Sequence, residues 1–354
     1  MRLAPEFTSI TGAPKHSPDG TLPAFMNCTL LLPNLLPHGE GAQAAWQAVD
    51  APHLKQLLAR AELTAGAGHG ALDTLCRLFT LQRNAEHDWP LAPLLAIADG
   101  VDTAQGFWFT ATPVHLQTQR HGLTLSDPAS LRITDAEAAA FAQTLSQHLA
   151  QEGITLHTPR ADRWYLRCEQ PQAVTTQALA DAIGRDVRPS LPQGVDGRRW
   201  HRILTEIQML LHNHGTNTLR EARGMAPVNS VWLSLGGAVP EPCSTHFDNV
   251  HSDDPVARAL AQHAAIPYQP LPHRFEASSG TPLYVFEALP QQDGEAWAQR
   301  VAMLEREWIA PMQEALHRGA VKKIALLSSS LDGARQFSAR SGDKWKIWRK
   351  NNYL

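Results

Sequence analysis

The chain has 354 residues, of which 43% are apolar and 18% charged, with a formal net charge of -3. That is enough apolar material for one large α/β domain or two smaller ones, and too much for a disordered chain. The near-neutral balance, with no block of five like charges, leaves no electrostatic footprint for nucleic acid. From Pro5 to Gly41, Pro and Gly recur, which predicts irregular backbone or short buried strands. The apolar run Leu30–Leu36 is cut by Pro33 and is too short to span a bilayer, and no basic, then apolar, leader opens the chain. No membrane is expected as a partner, and a cytoplasmic setting is. Helical spacing follows over His53–Leu63, Ala71–Leu81 and Leu91–Ala98.

From Gly106 the pattern changes. Gly106–Leu116 is rich in aromatic and β-favouring residues and predicts a strand with an edge or bulge at Pro113. Gly122–Leu125 and Leu131–Ile133 read as short strands around the Asp127-Pro128 turn. Thr134 and Glu137 form a capping box, and the helix they open buries Phe141, Leu145 and Leu149. Gly153 ends it. Ile154–Leu156 and Arg163–Cys168 read as strands, and a helix and loop follow Pro171. Gly197–His212 is a strongly amphipathic helix, Asn229–Leu235 an apolar strand ending in Gly236-Gly237, and Asp254–His263 a short helix with Pro255 at its first position. Leu283–Phe286 predicts a strand, Glu295–Leu316 one long helix and Val321–Leu327 a buried strand. Strands alternating with helices predict an α/β fold with a mixed, largely parallel sheet flanked by helices. The expected division is 1–105 and 191–354 for the α/β body, with a smaller α+β subdomain over 106–190.

The polar turn carrying His212, Asn213, His214, Asn217, Arg220 and Arg223 precedes the strand end at Gly236-Gly237. Ligands of open α/β sheets bind at the carboxyl ends of strands, and Arg forks suit phosphate and carboxylate. Paired glycines would let a backbone approach such a group closely.

This passage resembles the RpfE-type bacterial regulatory family, in its His-rich turn (His212, His214), its Asn217, its Arg220-Glu221-Ala222-Arg223-Gly224 stretch and its Asn229-Ser230-Val231-Trp232-Leu233 run. It is more distantly similar to the archaeal-type cofactor-independent phosphoglycerate mutases of the alkaline phosphatase superfamily. The runs Thr112–Leu116 and Arg163–Arg167, the Asp253-Asp254-Pro255 triplet with Arg258, and the passage Phe286–Trp308 are similar to family pieces, so the resemblance covers Gly106 to Leu327. It implies a mutase-like fold and a ligand site at His214, Asn217, Arg220, Arg223, Asn229 and Arg167, for a phosphorylated or carboxylate small molecule. The mutases also imply a two-metal centre, with an early Asp-Gly, a nucleophilic Ser and late Asp-His pairs, where the metals activate the nucleophile and clamp phosphoryl oxygens. Here the only early case is Asp19-Gly20 in a Pro-rich stretch, and Ser328-Ser329-Ser330-Leu331-Asp332-Gly333 follows the late strand with no Asp-His pair. The expectation is therefore a non-catalytic relative with a regulatory or small-anion-binding role and no cofactor. The alternatives are a metal-dependent phosphomutase or phosphatase with displaced ligands, and a protein-interaction module whose partner the sequence does not name.

Other constellations are less specific. Cys243, His246 and His251 have the residue types of a metal site, for a divalent ion such as Mn or Zn, but 17 histidines make chance clusters common. The four cysteines, Cys28, Cys76, Cys168 and Cys243, are widely spaced and expected to be reduced. No nucleophile elbow, phosphate-binding loop or dinucleotide fingerprint is present. The basic tail with Lys344, Lys346, Arg349 and Lys350, and its Trp345 and Trp348, reads as a solvated or packed terminus.

Overall fold

The computed structural model describes residues 26–39, 41–83, 87–119, 122–291 and 293–342. Asp19-Gly20, most of the Pro- and Gly-rich opening run and the basic tail with Trp345 and Trp348 lie outside them. The first half contains β1 (Met26–Leu31), α1 (Ala42–Ala48), α2 (Pro52–Arg60), β2 (Glu62–Ala65), α3 (Gly70–Leu78), α4 (Ala92–Ala98), β3 (Phe107–Val114), β4 (Leu116–Gln119), β5 (Gly122–Leu125), α5 (Asp135–Gln151), β6 (Ile154–Arg160) and β7 (Arg163–Cys168). There follow α6 (Leu179–Ala182), α7 (Gly197–His212), α8 (Gly215–Ala222), β8 (Ser230–Gly237), β9 (Asn249–Ser252), α9 (Pro255–His263), β10 (Tyr268–Gln269), β11 (Pro282–Val285), α10 (Gly294–Leu304), α11 (Ala310–Arg318), β12 (Val321–Ser330) and β13 (Gly333–Arg340).

Among the described residues a seven-stranded sheet has the order β10-β9-β11-β1-β12-β13-β2. Its first five strands are parallel, and β13 turns back antiparallel to β12 and to β2. Strand alternation sends Cys28 and Leu30 to one face, where Leu54, Leu58, Trp297 and Met312 cover them. Leu31, Leu283 and Leu327 lie in the core of the other face, beneath Leu75, Leu95 and Leu260. The sheet is thus the middle of three layers, the largely parallel α/β arrangement expected from the sequence. A second, four-stranded antiparallel sheet has the order β6-β7-β3-β8 and packs against α5 and α7 through Phe141, Trp164, Trp200 and Ile207. Its fourth strand, β8, comes from well beyond residue 190, so the expected 106–190 boundary cuts through a sheet. No described helix is long and apolar enough to cross a membrane.

Local chemistry explains most element ends. The Thr134–Glu137 capping box forms in both directions and starts α5. Leu131–Ile133 is not a strand: Asp127 accepts from the Ala129 N–H and caps a short 3-10 turn over Pro128–Leu131. The long helix expected over Glu295–Leu316 is interrupted by a π turn at Glu305–Ile309. Pro311 has no N–H, so the Glu307 carbonyl cannot take the usual α-helical donor from four residues on; the Phe275 N–H donates to it at 2.9 Å. The Ser328–Gly333 stretch is the hairpin joining β12 to β13, with Ser330 paired to Gly333.

Candidate functional site

A cleft of about 1090 Å³ opens where the carboxyl ends of β1 and β11 meet the second sheet. Leu31 and Val285 line it from those strand ends, and Asp254 and Val256 from the segment after β9. Thr110 and Ser234, paired in the β3–β8 register, contribute a hydroxyl floor in which Thr110 Oγ1 lies 2.8 Å from Ser234 Oγ. The hairpin between β6 and β7 supplies Arg160 and Asp162, and the turn before α5 supplies Arg132. This is the position at which open α/β sheets bind ligands.

Two lining residues other than glycine have left-handed backbone, Arg132 at φ 48° and Leu235 at φ 62°. For a residue with a Cβ this conformation costs roughly 1–2 kcal/mol. Such outliers concentrate at binding sites, where the surrounding structure holds them in place. Leu235 interrupts the alternation of β8 close to a register shift against β3. Arg132 is exposed and has no hydrogen-bond or ion-pair partner among the described residues.

Most carboxylates on the cleft wall already have partners. Asp254 caps α9 by accepting from the N–H groups of Val256 and Ala257, and burial pushes its carboxyl up. Asp162 faces Arg160 at 3.4 Å, and Glu287 accepts from Arg300 at 2.9 Å. Arg163 makes a two-pronged pair with Asp99, both contacts at 2.7 Å, and Tyr165 donates to the same carboxylate. Burial alone would raise Asp99, but these donors outweigh it and hold the carboxyl below its ordinary value.

In the turn expected to hold an anion, most of the named side chains are engaged in bonds within the chain. Arg220 is completely buried: Nε donates to the Ala226 carbonyl at 2.9 Å, Nη1 to Glu137 at 3.0 Å and Nη2 to the Leu131 carbonyl at 2.6 Å. Asn217 is buried beside it, bonded to the backbone of Leu211 and Val228. The His214 side chain caps α8 by accepting from Thr216 N–H and meets Thr144 through its other nitrogen. Asn229 pairs with both backbone groups of Leu116, and Arg167 donates to the Gln105 carbonyl. Arg223 ends α8 and is exposed. None of these six residues lines the cleft. Nor does the glycine pair cradle a ligand: a Cβ on Gly236 would meet the Phe109 ring at 2.5 Å and one on Gly237 would meet Pro90 at 2.4 Å. The Gly236 N–H donates to Asp88. The residues that sequence reasoning missed are Arg132, Leu235 and the half-buried Leu72, Val256 and Phe286 of the cleft wall. Only the Asp127-Pro128 turn beside Arg132 was visible as a local signal.

No family model matches the chain. Over 152 residues it is 27% identical to the 2,3-bisphosphoglycerate-independent phosphoglycerate mutase of Methanosarcina mazei and 26% identical to that of Methanosarcina barkeri. These matches cover 42% of this chain, and only 38% and 37% of the two relatives. Among solved structures, the cofactor-independent phosphoglycerate mutase of Thermoplasma acidophilum matches with TM-score 0.51 and 16% identity, over 93% of each chain. The chain has a phosphoglycerate-mutase-like fold. A Pyrococcus horikoshii protein matches with TM-score 0.56 and 11% identity, over 92% of this chain and 91% of that one. Together with the local sequence matches, this marks distant homology to the archaeal-type cofactor-independent phosphoglycerate mutases, on the alkaline phosphatase superfamily fold.

The described residues of this mutase-like chain do not fit the two-metal centre that the resemblance implies. No three His, Cys, Asp or Glu side chains among them come together to hold an ion. At the strand ends, Asp254 is engaged as a helix cap and Ser328–Ser330 run on into a hairpin. Cys243, His246 and His251 do not converge either. His246 lies against Phe247, His251 stacks on Tyr284 at 4.9 Å with burial pushing its imidazole down, and burial pushes the half-buried Cys243 thiol up.

Proposed function

We propose that this chain is a non-catalytic, phosphoglycerate-mutase-like protein that binds a small carboxylate or phosphorylated acid in the cleft, in a regulatory role. The observation that carries the reading is Arg132: an exposed guanidinium on the cleft wall, carried by the left-handed residue that ends the 3-10 turn, with no partner among the described residues. A guanidinium fork suits planar carboxylate and phosphate oxygens. The neighbouring carboxylates of Asp254, Asp162 and Glu287 are held by backbone amides or arginines, which limits their repulsion of an anion. This binding needs no metal. The narrower RpfE-type resemblance belongs with the same proposal. The test is a thermal-shift and calorimetric titration with a phosphorylated three-carbon acid and with inorganic phosphate. A ligand at about 100 times its Kd stabilises the fold by about 2.7 kcal/mol. Arg132→Ala should abolish the shift and Arg223→Ala should leave it intact. No shift at millimolar ligand would sink the reading.

A second reading, a metal-dependent phosphomutase or phosphatase with displaced ligands, is favoured by one observation. Asp254 and Glu287 are close enough at the strand ends for the Glu287 charge to help raise Asp254. Phosphatase turnover with added manganese, lost in Asp254→Asn, would support it. Neither turnover nor ligand binding would leave a protein-interaction module.

A further inference from the structure

Resting on the cleft as the binding site, we propose that its ligand is an amphiphilic acid, with an apolar chain along the cleft wall and an anionic head at Arg132. Half-buried apolar residues from separate elements line this cleft, among them Leu72 from α3, Leu235 from β8 and Val256 from α9. Leu31 and Val285 lie in the same wall as part of the buried core. Leu235 lines this wall in the left-handed region, at the bulge where β8 shifts register against β3. Converging apolar groups of this kind mark a ligand surface. The cleft volume, about 1090 Å³, reaches the upper end of pockets that enclose drug-sized ligands, and a three-carbon acid would leave most of the apolar wall wet.

The polar groups of the cleft fit a single anionic head. Asp127 accepts from the Ala129 N–H at 2.9 Å, while Asp162 and Glu287 face arginines. Asp135 lies in the first turn of α5, where the helix N-terminus stabilises its charge. Burial pushes the Asp181 carboxyl up, towards its neutral form. Arg132, unlike Arg160 and Arg163, has no ion-pair partner among the described residues and is available to a head group.

Calorimetric titration of the full chain with butanoate, hexanoate, octanoate and decanoate, each below its micelle concentration, tests this. Affinity should rise roughly fourfold per added methylene until the wall is covered. Leu72→Ser, and the nearly isosteric Val256→Thr, should flatten that slope while the ligand-free melting temperature reports that each variant folds. Arg132→Ala should weaken every chain length by a similar factor and leave the slope unchanged. If octanoate binds no more tightly than butanoate, while the phosphorylated three-carbon acid still binds through Arg132, the amphiphile is wrong and the site stands. If no acid of either class binds, both readings fall.

Discussion

Arg220 illustrates how a side chain suited to ligand chemistry can be a structural rivet. Its guanidinium joins α8 to the α5 cap and to two carbonyls, and its side chain is 0% exposed. Glu137 therefore has two duties, closing the capping box and neutralising Arg220. Burial alone would raise Glu137, but the Thr134 N–H and Arg220 outweigh it and hold the carboxyl below its ordinary value. Arg220→Met should destabilise the protein by about 3 kcal/mol, because it strands a partly buried carboxylate and two carbonyls. Arg220→Lys should recover little, since one ammonium cannot match a fork reaching three acceptors. Exposed Arg223→Ala should stay within about 0.5 kcal/mol. Urea denaturation of the three variants checks this, and an Arg220→Met cost no larger than that of Arg223→Ala would contradict it. The motif was legible in the sequence, but its direction was not. Asn217 and Arg220 are three residues apart and so share a helix face, yet polar residues on a helix give no sign of which face is buried.

At the scale of elements, legibility followed periodicity and caps. The bounds of α7 match the expected Gly197–His212, and α5 starts at its capping box. Among the strands missed, β2 is exposed throughout, and β9 and β10 have four residues and two; β4 and the eight-residue β13 were missed as well. The π turn was hidden because it depends on Pro311 together with a donor from Phe275, far away in sequence. The same helical region supplies a cap for another element. No side chain caps α2 from its own N-cap, Ala51; instead Glu305 accepts from the His53 N–H at 2.8 Å and the Leu54 N–H at 2.9 Å, and lies 2.7 Å from the His53 ring. Glu305→Ala should therefore cost about 2 kcal/mol through loss of charge-assisted bonds to free helix N–H groups. Glu305→Gln, which keeps one acceptor oxygen, should fall between. Chemical denaturation with equal m-values would confirm a local loss of stability. A neutral Glu305→Ala would mean that water replaces the cap.

At the scale of the molecule, the cleft exists because two sheets share a core, and this was the least legible level. Leu72, Arg132, Leu235, Val256 and Phe286 are scattered over more than half the chain, and each looks ordinary in its own segment. Trp108 and Tyr165 from the second sheet join Leu31, Val250 and Leu283 of the large sheet in one hydrophobic cluster. Along the same seam, Asp99 at the end of α4 receives the Arg163 fork and the Tyr165 hydroxyl of β7. The Asp99 side chain is 5% exposed and that of Arg163 20% exposed, so salt should screen the pair weakly. A carboxyl whose folded pKa is depressed stabilises the fold fully above its unfolded value, near 4, and loses that contribution as pH falls through the folded value. Asp99→Asn removes the charge but preserves the shape, and should cost about 2 kcal/mol at neutral pH. The gap between wild type and Asp99→Asn should stay level down to about pH 5 and then narrow as the wild-type carboxyl protonates. Urea unfolding followed from pH 7 to pH 3 measures that gap directly. A gap unchanged at pH 3 would mean that shape and packing at this seam outweigh its charge. A closing gap would mean that the charge of this pair, and not its shape alone, holds the seam between the sheets that frame the cleft.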